Sequence, residues 1–164
     1  MNWLSFMTRT DGSRVVYLWR AFLAAVLGTV LAAVGAILIF QQPETPDTSP
    51  PPPFFGVVLM WPAVSSLVLW GVAEVARRAA PTYWHAAGAT ALAFAAFFAL
   101  AANPQAGLIF AWPYFIYALT YLAWHLRSNL EGLAMTFALQ VAVNLALSLL
   151  LFAPAGDPVP VPTA

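Results

Sequence analysis

VVYLWRAFLAAVLGTVLAAVGAILIF, residues 15–40, carries a single charge, Arg20, in a run long enough to cross a bilayer as a helix. A span needs about 20 apolar residues, and the 7–15 residue core of a secretory signal is shorter than this run. With no clear cleavage site after it, the segment reads as a retained transmembrane helix. Four further runs meet the same length test, roughly 54–76, 83–102, 106–126 and 131–152. The fold class that follows is all-α, a polytopic membrane bundle of about five helices.

Composition agrees. Of 164 residues 62% are hydrophobic and 7% charged, against about 25% charged in a soluble domain. Six basic residues, all arginine, balance six acids, and no basic tract offers the footprint that nucleic acid needs. Without cysteine the chain has no disulfide, thiolate nucleophile or cysteine metal site. Neither a cofactor nor a metal is expected.

The runs divide the chain into a cytoplasmic N-terminal segment 1–14, the first helix 15–40, a Pro-rich external linker QQPETPDTSPPPP at 41–53, a four-helix core 54–152 and a disordered Pro-rich tail 153–164. Asn103, Pro104 and Gln105 break the chain between the third and fourth runs and predict a tight helical hairpin. Threading the membrane from the N-terminus places Arg9, Arg14, Arg20, Arg77, Arg78 and Arg127 on one side, with Glu44, Asp47 and Asp157 on the other. Arginine accumulates in short cytoplasmic loops. The expected orientation is therefore N-terminus in and C-terminus out, in a cell (inner) membrane, the alanine- and arginine-rich, lysine-free composition hinting at a GC-rich bacterium. Tyr17, Trp19, Tyr83, Trp84, Tyr121 and Trp124 fall near span ends, where aromatic rings settle.

Ionisable groups at mid-bilayer usually mark ion pathways or active sites. Glu74, Arg77, Arg78, His85, His125 and Glu131 all fall at span ends, and the deep polar residues are neutral: Ser65, Ser66, Thr90, Thr120, Thr136, Gln140, Asn144 and Ser148. Gln140 and Asn144, four residues apart, share one helical face and suit bonds to a neighbouring helix. A serine nucleophile needs a base, and neither Ser65 nor Ser66 has a histidine or lysine at its depth.

Pro62-Ala63-Val64 precedes SSLVLW and Gly71; AFAAFF runs from Ala93 to Phe98; QVAVN runs from Gln140 to Asn144 inside the last helix. In this framing, residues 52–152 resemble the core of the CPBP intramembrane endopeptidases, which include type II CAAX prenyl proteases and bacteriocin-immunity relatives. The family pattern is EExxxR before a glycine, then FxxxH, then HxxxN. Here Ser65 and Ser66 stand in the glutamate slots, Trp70 in the arginine slot, Phe98 and Gln140 in the histidine slots, and Asn144 keeps the asparagine. The resemblance implies a water-activating glutamate and oxyanion-holding partners. Serine, tryptophan, phenylalanine and glutamine accept no proton near neutral pH, so it implies a pseudoprotease, with a partner helix or lipidated peptide as what it binds.

A second alignment places ExxxR at Glu74–Arg78 and HxxxN at His125–Asn129. With His85, these residues would form an interfacial hydrolytic or metal site if the fold brought them together. A third class, a small channel, transporter subunit or assembly factor, needs none of these motifs.

Overall fold

The computed structural model describes residues 5–40 and 53–151. Five helices follow a short 3₁₀ turn at Ser5–Thr8: α1 (Arg14–Phe40), α2 (Trp61–Ala79, entered through a π-helical stretch at Gly56–Met60), α3 (Tyr83–Ala101), α4 (Pro104–Trp124) and α5 (Asn129–Leu151). Each is long and apolar enough to cross a membrane, and no strand occurs among the described residues. The chain is thus a multi-pass membrane helix bundle. The tail 153–164 and all of the linker but Pro53 lie outside the described residues.

Short polar signals set the helix ends. Asn103 accepts from the Ala106 backbone N–H at 2.8 Å, and Pro104 opens α4 where its missing N–H costs nothing. This cap starts α4 two residues before the apolar run begins. Thr82 caps α3 through the His85 N–H, and Ser128 caps α5 by accepting from the Glu131 N–H at 3.0 Å. Glu131 then pairs with Arg14, while Arg127 donates to the Thr10 carbonyl and lies over the Trp124 ring. These contacts put the start of α1 and the α4–α5 turn at one end of the bundle.

α4 is the central helix: from Tyr114 to Trp124 all but Phe115 are buried. α1 meets it through Tyr17 and through Ala21, Ala24 and Ala25, alanines small enough to let helices approach closely. At Gly28 the approach is closest, since a Cβ there would fall 1.8 Å from the Trp112 indole nitrogen. That nitrogen instead donates to the Ala24 carbonyl at 2.8 Å. At Gly107 α4 also comes close to the α3 backbone, since a Cβ there would fall 2.7 Å from the Ala95 carbonyl oxygen and 2.8 Å from the Ala99 Cβ. The opposite face of α1, with Leu23, Leu27, Leu31, Ile37 and Leu38, is exposed. So large an apolar surface belongs against lipid.

Candidate functional site: a serine and amide cluster beside an apolar groove

α2 and α5 meet through their deep polar residues. Ser65 Oγ donates to Gln140 Oε1 at 2.5 Å, and Gln140 Nε2 donates to Ser66 Oγ at 3.1 Å. All three residues are 2–3% exposed. The glutamine is held at both ends of its amide, and neither serine has a base beside it.

Asn144, one turn further along α5, does not join the serines. Its Nδ2 donates to the Val57 carbonyl at 2.9 Å, for a reason that begins in the sequence. The Trp61 N–H bonds the Gly56 carbonyl, five residues back, so in that register Val57 would be served by residue 62. Residue 62 is proline and has no N–H. Asn144 supplies the missing donor, and the π turn, the proline and the asparagine form one arrangement.

Phe98 lies an aromatic layer away from the cluster. It stacks on Phe110 at 4.2 Å between centroids and contacts Trp61 at 6.0 Å and Tyr114 at 5.5 Å. Tyr114 stacks on Phe94 at 4.0 Å, and its phenol approaches Ser65 and Trp61. The structure therefore brings Ser65, Ser66 and Gln140 together, sets Asn144 one turn off and Phe98 behind a ring stack, and leaves Trp70 38% exposed with its indole beside the Tyr121 phenol.

Between α2 and α3 an apolar groove of about 310 Å³ runs along Trp61, Val64, Val68 and Val72 on one wall and Ala93, Phe94 and Phe97 on the other, with Ser65 as its polar lining residue. The small Ala93 opposite the valines leaves the space. Sequence reasoning missed this groove and the part of Tyr114. The signal available was the Val64, Val68, Val72 repeat, which places three branched side chains on one helical face.

The second candidate cluster is only partly assembled. Tyr121 donates to Glu74 Oε1 at 2.7 Å and stacks on the His125 ring at 5.5 Å. Glu74 also holds Arg77, with 2.8 Å from Nε to Oε2. His125 Nδ1 lies 2.6 Å from the Leu122 carbonyl, a contact that makes Nδ1 the protonated nitrogen. His85 is instead engaged with Thr82, 2.7 Å from Nδ1 to Oγ1. Among the described residues no three His, Asp or Glu side chains are grouped to hold a metal ion.

Among the described residues, the buried polar atoms Thr120 Oγ1, Trp124 Nε1 and Thr136 Oγ1 make no hydrogen bond. The first two crowd the Tyr17 phenol, which donates to the Met7 carbonyl at 3.1 Å.

No protein-family model matches the chain, and neither curated proteins nor solved structures show significant similarity to it.

Proposed function

We propose that this protein is a non-catalytic membrane protein that holds the hydrocarbon chain of a lipidated peptide in the α2–α3 groove, as a degenerate relative of the CPBP endopeptidases. The groove is the observation that carries the reading. From Trp61 to Val72 it follows twelve residues of α2, eleven rises of 1.5 Å or about 16 Å. A helix about 10–12 Å across could insert only a ridge of side chains, whereas a single hydrocarbon chain suits a long, narrow, apolar space. The reading that nothing is cleaved is supported by the fate of the motif positions: Ser65, Ser66 and Gln140 satisfy one another, and none can take a proton from water.

The arrangement of the arginines favours a cytoplasmic N-terminus and an external C-terminus, and the alanine- and arginine-rich, lysine-free composition favours a bacterial inner membrane. A hydrolase centred on Glu74, Tyr121 and His125 is the second reading, favoured by their contact, but Glu74 is already committed to Arg77 and Tyr121.

Photolabelling tests the groove. A peptide bearing a photoactivatable prenyl chain should label residues of α2 and α3, and Ala93→Phe, which fills the space, should abolish that labelling. Equal labelling by a phospholipid with a photoactivatable acyl chain would show ordinary lipid contact and overturn the proposal.

A further inference from the structure

A second, smaller space lies inside the bundle beside the serine and glutamine contact. It measures about 30 Å³ and is lined by Thr29 of α1, Tyr114 and Tyr117 of α4, and Gln140 and Asn144 of α5, together with Trp61, Pro113, Val143 and other apolar groups. An apolar void of this size would stay dry. This one has a polar wall with unused valences.

The count can be made group by group. Gln140 spends its carbonyl on Ser65 and one N–H on Ser66, which leaves its second N–H. Asn144 spends one N–H on Val57 and keeps the other, together with its carbonyl. Thr29 donates to the Ala25 carbonyl at 2.7 Å, leaving lone pairs free to accept. Tyr117 is 4% exposed and lines the cavity, where a phenol can both donate and accept.

From this geometry we infer that the cavity is a hydration site, holding a resident water bonded to the Tyr117 phenol and to the free amide valences of Gln140 and Asn144. A water needs about 10–15 Å³ of such space and two to four polar partners, and both conditions are met. A hydrocarbon chain is too large for the cavity and would leave those valences unmet. The water would join α4 to α5 at the level where Gln140 already joins α5 to α2. The inference does not rest on the proposed function: Ser65 lines the groove and Gln140 the cavity, and of their lining residues Trp61 alone is shared.

Water-edited solid-state NMR on the isotope-labelled protein in bilayers tests it. Magnetisation from water should reach the side-chain amides of Gln140 and Asn144 at mixing times that leave the fully buried Leu119 and Leu122 dark. Tyr117→Phe should remove that transfer, and Thr29→Leu, which fills the cavity, should do the same from another helix. Dark Gln140 and Asn144 amides in the unmodified protein, with the loop residue Ser128 lit as a control, would overturn the inference whatever the variants do. So would transfer that persists unchanged in both variants.

Discussion

The side-chain amide of Asn144 stands in for the backbone N–H that Pro62 lacks. The 2.9 Å bond from Asn144 Nδ2 to the Val57 carbonyl closes the gap that a proline leaves after a π-helical turn, and it ties the π-helical entry to α2 onto α5. Asn144→Leu should cost about 0.6 to 2 kcal/mol, the range for interhelical polar links in membranes. Pro62→Ala restores a backbone donor, so the same asparagine change should cost less in that background. Unfolding titrations of the four proteins give the coupling directly, and equal costs in both backgrounds would show that the two residues act independently.

The Gln140 contact predicts a crosslink. Ser66 Oγ and Gln140 Nε2 are 3.1 Å apart in a chain with no cysteine, so Ser66→Cys with Gln140→Cys should form a disulfide on mild oxidation. Ser66→Cys with Leu145→Cys, the latter on an exposed face of α5, should not. Efficient crosslinking of the second pair alone would place a different face of α5 against α2.

Two glycines mark where added atoms have nowhere to go. Gly28→Ala would drive a methyl into the Trp112 indole, and Gly107→Ala would press one against the Ala95 carbonyl at 2.7 Å. Overpacking of this kind costs about 1–3 kcal/mol. Gly35→Ala meets nothing within 4 Å and should be neutral. Thermal unfolding in detergent should separate the first two variants from the third, and three equal midpoints would count against the close α1–α4 and α3–α4 approaches.

Orientation has its own test. A reporter inserted after Ala80 or Arg127 should stay cytoplasmic, while one placed at Asn103 or after residue 152 should be exported. These sites follow from the bundle end that gathers Arg14, Arg77 and Arg127, and an exported Arg127 reporter would invert the whole arrangement.

Much of this was readable from the residues, and the reasons for the rest are physical. Twenty-residue apolar runs and a charge bias are one-dimensional signals, so five spans and the Asn103 hairpin are visible in the chain. The Gln140 and Asn144 pair also announces itself, because polar groups in hydrocarbon must find partners. Which partners they find depends on helix rotation and on the π turn before Pro62. That is why Asn144 serves Val57 rather than the serines. The groove was least legible: it arises where Ala93 happens to face the valine row of α2, a relationship between two helices that neither segment shows alone. The place of Tyr117 is similar, since a tyrosine within a span reads as core until the cavity it lines is seen.

The central claim is that the protein binds a lipidated peptide without cutting it, and one experiment addresses both halves. The unmodified protein is incubated with a photoactivatable prenyl peptide, irradiated, and examined by mass spectrometry. The account predicts intact peptide attached to residues lining the α2–α3 groove, such as Val68 or Phe97, and no released fragment. Loss of a general base alone typically slows catalysis by about 10² to 10⁴, and the motif positions here offer none. Cleaved peptide that persists in Ser66→Ala and Gln140→Ala but disappears in Glu74→Ala would contradict the account and move the site to the Glu74, Tyr121 and His125 contact.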